Sequence, residues 1–236
     1  REPELASRVV HMRQLAQQML ARFAGKAIHP VAAVVGGFSK PMLVEERATL
    51  LADAQQLLDF ASFALDYGKK RVFNRLVGDF AGLGTITTGF LGTVDDQGRL
   101  RLYDGKLRLM EPGGASVDFA AEDYEQYLAE HVEPWSSAKM VYAKCWGEGF
   151  SLSPSQPSGV YRVNTLARLN VCDALATPRA QAELEEFRRH FGRPAQATLL
   201  YHWTRLIELV YACERSLELL ADERLINPLV RHAAEP

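Results

Sequence analysis

The chain has 236 residues, 47% of them apolar and 24% charged, with a formal net charge of −2. That length is enough to bury a substantial core in one large domain or two small ones. The near-neutral charge gives no electrostatic case for nucleic acid or an anionic membrane as a partner.

Residues 2–24 read as a helix. Pro3 suits a first turn, Leu5, Val9, Met12, Ala16, Met19 and Phe23 recur at three and four residues, and Gly25 supplies the stop. The stretch GKAIHPVAAVVGGFSK at 25–40 follows, a buried-looking strip between a His-Pro pair and Gly36-Gly37. Its glycines invite a phosphate-loop reading, but neither the Walker spacing nor Gly-x-Gly-x-x-Gly is present. Gly36 and Gly37 are better read as a tight turn or a close backbone approach, with positive φ allowed at either. A second helix is expected from about Val44 to Tyr67, with Leu50, Ala54, Leu57, Ala61 and Leu65 on one stripe.

Residues 86–119 read as a small antiparallel meander. Ile86 to Val94 is rich in β-branched residues, Asp95-Asp96-Gln97-Gly98 is a turn, and Leu100 to Tyr103 alternates. Asp104-Gly105 is a second turn before the alternating Leu107-Arg108-Leu109. A short helix is expected near Glu122 to Glu130, then a long Pro/Gly/Ser-containing connection from Glu133 to Gly159, of the length usually tied to function or an interface. Trp135 and Trp146 in it fit a subunit interface or the core of this domain equally well. Helices are expected over Thr165 to Leu175, from Thr177-Pro178 to Gly192, and from Pro194 to Ala221. The fold class is therefore mainly α: a long-helix bundle with a small antiparallel β insert, as a single domain over 1–236.

No apolar run approaches the ~20 residues a bilayer needs, and no secretory signal is visible. Cys145, Cys172 and Cys213 are far apart and form no C-x-x-C pair. That argues against a disulfide framework and fits a reducing, cytoplasmic setting, with each thiol a small buried hydrophobe.

Four segments carry a family resemblance. GKAIHPVAAVVGG at 25–37 resembles a His-containing signature of the nickel-iron hydrogenase large subunit. GVYRVNTLARLNVC at 159–172 is similar to that family's Val-Gly-Pro-Leu-Ala-Arg segment, with Asn164-Thr165 in place of Gly-Pro. HVEPWSSAKMVYAK at 131–144 and YHWTRLIELVYACE at 201–214 resemble segments of the soluble, NAD-linked and viologen-reducing branch. The resemblance implies an oxidoreductase that, in complete form, reversibly oxidises dihydrogen. Dihydrogen would be split heterolytically at nickel and iron, with a thiolate taking the proton. Electrons would leave through an iron-sulfur small subunit, with an NAD-reducing module as a further partner. The metals of that family are held by two C-x-x-C pairs, which this chain lacks. It therefore looks like the central part of a large subunit, inactive alone. The helix stripes Leu5-Val9-Met12-Met19 and Leu206-Val210-Leu217-Leu220 would then be left uncovered, and self-association is expected.

On the same resemblance, His29 stands beside the dinuclear centre as a proton-handling or hydrogen-bonding group; the residues alone favour a structural histidine on a backbone carbonyl. Gly36 and Gly37 would pack backbone next to the cofactor. Arg162 and Arg168 are read as structural pairs or interface contacts through their planar guanidinium groups. Two other classes stay open: a non-catalytic or quinone-binding relative on the scaffold of a complex I subunit, and a free-standing helical interaction module. Val34-Val35-Gly36-Gly37, where the complex I segment resembles Arg-Pro-Gly-Gly, favours the hydrogenase.

Overall fold

The computed structural model describes residues 2–73, 78, 83–147 and 149–232. The chain divides into two compact units, one of Arg1–Asp66 with Leu209–Pro236 and the other of Tyr67–Glu208.

The first unit is built on helices α1 (Pro3–Ala24) and α2 (Val44–Gly68), with the C-terminal half of a long helix that ends at Ala221. Gly25 closes α1 in the left-handed region, φ 81°, and its N–H donates to the Ala21 carbonyl at 3.0 Å. Leu50, Ala54 and Leu220 form the core, and Met19 and Leu217 pack against it. The two stripes expected to lie uncovered thus share one cluster at these positions, and Val210 is fully buried. Val9 and Val10 of α1 do stay exposed. Arg47 donates to the Leu220 and Ala221 carbonyls at 2.6 and 2.8 Å, pairing a cation with a helix C-terminus.

The strip after Gly25 differs from expectation. Ile28 and Val35 are 65% and 73% exposed, and only Ala32 is buried. Its two short strands, β1 (Ala33–Val34) and β2 (Gly37–Phe38), form a hairpin held through backbone rather than side chains. The Phe38 N–H donates to the Val230 carbonyl at 2.9 Å, and the His232 N–H to the Gly36 carbonyl at 2.9 Å.

In the second unit α2 passes into a π-helical turn, Lys69–Phe73, where the Lys69 ammonium is held between Glu183 and Glu186 at 2.9 and 2.7 Å. The meander is β3 (Gly89–Val94), β4 (Lys106–Met110) and β5 (Ser116–Phe119), antiparallel in sequence order. A short parallel strand, β8 (Tyr161–Arg162), adds to the free edge of β3, giving the order β5-β4-β3-β8. Asp95 makes the first turn by accepting from the Gln97 and Arg99 N–H groups at 2.9 and 2.8 Å. Leu100 to Tyr103, read as a strand, is a loop instead. Leu100 is buried and its N–H goes to the Ala174 carbonyl, while Tyr103 is 98% exposed.

The helix expected near 122–130 is a single turn, α3 (Tyr124–Tyr127). The chain then becomes β6 (Leu128–Val132), paired antiparallel with β7 (Lys139–Ala143) inside the segment read as a connection. Packing overrides local preference: Leu128 and Ala143, opposite each other in register, join the Leu109–Phe119 cluster. Helix α4 (Thr165–Val171) lies against β3, where a Cβ on Gly92 would meet a Val171 methyl at 2.6 Å. It stops four residues early because arginines take its last carbonyls. Arg188 donates to Leu169 and Cys172 at 2.9 and 2.6 Å, and Arg193 to Asn170 and Val171 at 2.7 and 3.0 Å.

Helix α5 (Pro178–Phe191) follows, and α6 (Tyr201–Ala221) starts seven residues later than its apolar pattern. The Asn170 side chain exchanges two hydrogen bonds with the Ala195 backbone at 2.9 and 3.0 Å and holds that segment extended. Trp203 is buried, stacked on Phe73 with centroids 4.9 Å apart.

Candidate functional site

The candidate residues fall into separate groups. In the first unit His29 sits on the turn after Gly25, exposed, with φ 54°. Its ring has no hydrogen-bond partner among the described residues. Gly36 and Gly37 have φ of 86° and 146°. A Cβ on Gly36 would stand 2.2 Å from the His232 carbonyl oxygen, and one on Gly37 2.1 Å from that of Val230. The glycine pair therefore admits this chain's own backbone, which is the close approach read from the sequence.

The second group centres on 159–172. Arg162 donates from Nε to Thr88 Oγ1 at 2.8 Å, from Nη1 to the Gln196 carbonyl at 2.8 Å, and from Nη2 to Gln196 Oε1. Its guanidinium lies 4.7 Å over the Phe90 ring. Burial pulls its pKa down, and no carboxylate compensates it among the described residues. Arg168 is different, pairing Nε to Glu208 Oε1 at 2.8 Å and Nη2 to Oε2 at 2.6 Å. The hydrogen bond to Glu208 holds its pKa above the ordinary arginine value.

Between them Asn164 has φ 76° and ψ −163°, a region reserved for glycine. Its side-chain oxygen accepts from the Thr165 N–H at 2.8 Å and caps α4. Sequence reasoning named the two arginines and missed Gln196, Glu208 and Thr88. Their partners lie 34 to 74 positions away, so no local pattern points to them. Asn164 did carry a signal, since it stands where the resembled motif has glycine.

Of the two tryptophans in the 133–159 segment, Trp135 is 75% exposed between β6 and β7. Trp146 is half-buried against the Leu109–Phe119–Ala143 cluster, and a Cβ on Gly89 would collide with its ring at 2.0 Å. The cysteines stay apart: Cys145 is exposed, Cys172 and Cys213 are buried, and burial pushes both buried thiols up to about 11.

No family model matches the chain. A relative in Methanococcus voltae, from the F420-non-reducing hydrogenase vhu, is 38% identical over 235 residues, covering 99% of this chain and 54% of the relative. NAD-reducing hydrogenase HoxS subunit beta of Cupriavidus necator is 31% identical over 233 residues, covering 94% and 46%. Among solved structures, an NAD+-reducing [NiFe]-hydrogenase in the H2-reduced state superposes with a TM-score of 0.87 at 36% identity. That match takes in 100% of this chain and 51% of the other. The chain is a homologue of hydrogenase subunits.

This hydrogenase homologue spans about half the length of the curated relatives it matches. A [NiFeSe]-hydrogenase from Dm. baculatum, at 16% identity and a TM-score of 0.61, shows the same fold. Among the described residues no three His, Cys, Asp or Glu side chains come together to hold a metal ion. The described residues of this hydrogenase homologue therefore do not fit a nickel-iron centre by themselves. None of its described helices is long and apolar enough to cross a membrane.

Proposed function

We propose that the complete protein is the large subunit of a nickel-iron hydrogenase that reversibly oxidises dihydrogen, and that this chain contributes framework rather than metal ligands. The superposition on an NAD+-reducing [NiFe]-hydrogenase over the whole chain, at 36% identity, carries the reading. In that reading the long helices α1, α2 and α6 pack as part of a larger bundle. An iron-sulfur small subunit takes the electrons, and an NAD-reducing module is a further partner. Gly36 and Gly37 keep the His29 segment close to the backbone at 230–232, and Arg162 and Arg168 fix the start of α4. The setting is cytoplasmic.

His29 is the residue we assign a proton-handling role. Its exposed ring, held on a turn at positive φ and without a partner among the described residues, supports the assignment. His29→Gln in the complete protein keeps hydrogen bonding but cannot carry the proton. Slower turnover with unchanged nickel content is the expected result; unchanged turnover leaves His29 without that role.

The activity is tested by purifying the complete protein with its partner subunits and following reduction of a viologen dye under dihydrogen. Dye reduction that stops when argon replaces dihydrogen is expected. A metal-loaded complex that reduces no dye would overturn the proposal.

A further inference from the structure

Two clefts in the second unit share one wall. A cleft of about 280 Å3 is lined by Trp146 with Glu111, Val117, Tyr127 and Cys145. A second cleft of about 180 Å3 is lined by Trp146 with Thr88, Glu111 and Pro157. Trp146 and Glu111 belong to both. The indole is not free to move away. Its six-membered ring fits over strand β3 only because residue 89 is glycine, and it packs on the Leu109–Phe119–Ala143 cluster. Tyr127 is fixed as well, stacked on Phe119 with centroids 4.1 Å apart.

Among the described residues Glu111 is the single charged side chain lining either cleft, and it is exposed. Its backbone closes the β4–β5 turn, with the N–H going to Ala115 at 2.7 Å and the carbonyl accepting from Gly114 at 2.9 Å. The carboxylate itself has no hydrogen-bond or ion-pair partner among the described residues. Asp118, Glu130 and Asp104 elsewhere in the unit are paired, with Arg108, Lys139 and Arg101 respectively. A carboxylate on a tight turn and an indole thus border both clefts, and a phenol borders one of them. That is the arrangement that attracts a cation, through charge on one side and the ring quadrupole on the other.

We propose that the Glu111–Trp146 notch receives the ammonium or guanidinium group of a lysine or arginine side chain on a partner polypeptide. Size argues for a side chain over a free ligand, since both clefts fall below the roughly 300 Å3 at which small-molecule pockets begin. A lone small amine would also lose its full translational freedom for one ion pair, whereas a side chain arrives already tethered. Charge complementarity sets the occupant: among its described residues the notch presents a negative charge and no positive one. The notch is read from the geometry alone, while the partner subunits used to test it rest on the hydrogenase reading.

The test uses the complete protein and its purified partner subunits, with the dissociation constant measured at about 0.05 M and about 0.5 M salt. Glu111→Gln is expected to weaken assembly about tenfold at low salt and to flatten the salt dependence, and Glu111→Arg to weaken it about a hundredfold. Because Glu111 is exposed, both variants should keep the parent's far-ultraviolet dichroism and melting temperature. Affinity and salt dependence equal to the parent in both variants would overturn the proposal. So would saturable quenching of tryptophan fluorescence by n-butylammonium that Glu111→Gln abolishes while assembly is untouched, which would make the notch a small-amine site. Dye reduction under dihydrogen, measured on the same preparations, can fail while the charge dependence stands, so the two readings are separable.

Discussion

Arg168 and Glu208 meet as fork on fork: two parallel N–H···O bonds at 2.8 and 2.6 Å join α4 to α6 across forty positions of sequence. The carboxylate side chain is only 11% exposed, so the pair is shielded where it counts. Lysine at 168 keeps the charge but offers no planar fork. Arg168→Lys is expected to cost about 1–2 kcal/mol, and Arg168→Ala about 3 kcal/mol because it strands a buried carboxylate. Denaturant midpoints at constant m-value measure both, and a lysine variant as stable as the parent would reduce the fork to simple charge pairing.

Asn164 separates backbone strain from capping. Alanine there loses the cap and keeps the glycine-only conformation, at a cost of about 2 kcal/mol. Glycine loses the cap and relieves the strain, so Asn164→Gly should be more stable than Asn164→Ala by about 1 kcal/mol or more. Thermal melts of the two variants decide it, and the reverse order would contradict the geometry.

Gly36 and Gly37 face carbonyl oxygens at distances no Cβ tolerates. Gly37→Ala is expected to cost at least about 2 kcal/mol and to free the backbone at 230–232. Hydrogen exchange reads this locally: the Phe38 and His232 amides should lose protection together. Unchanged protection at both would mean the hairpin does not depend on the close approach.

Asp173 supplies a pH dependence with a definite sign. Burial raises its pKa, but hydrogen bonds from Arg108 and Arg193 outweigh burial and hold the carboxyl below the usual carboxylate range. A carboxylate depressed in the folded state adds stability that is fully present above its unfolded value of about 4. That stability is lost as the pH falls through the lower folded value. Stability should therefore drop below about pH 4 more steeply in the parent than in Asp173→Asn, with the two curves converging in acid. Parallel curves would remove Asp173 from the acid limb.

How much of this was legible in the sequence depends on where each partner lies. The helices at 3–24 and 178–191 end at Gly25 and Gly192 because their stop signals are local. The β6–β7 hairpin was not legible: Leu128 to Val132 carries little strand signal until Ala143 and the Leu109–Phe119 cluster are beside it. Helix α4 ends early for the same kind of reason, since Arg188 and Arg193 that cap it lie about twenty positions on. Gly36-Gly37 announced a close approach, but not that its other side would be the backbone near residue 231. Glu111 gave no signal at all, because a carboxylate without a partner among the described residues, in a cleft it shares with an indole, is visible only once the sheet places Trp146 over Gly89.

Nickel content and dihydrogen-dependent viologen reduction, measured together on this 236-residue chain and on the complete protein, test the framework reading most directly. With no C-x-x-C pair in the sequence and no metal-holding cluster among the described residues, the chain alone should retain no stoichiometric nickel and reduce no dye. The complete protein should bind nickel and reduce the dye. Near-stoichiometric nickel with activity in the 236-residue chain, or a complete protein with neither, would contradict it.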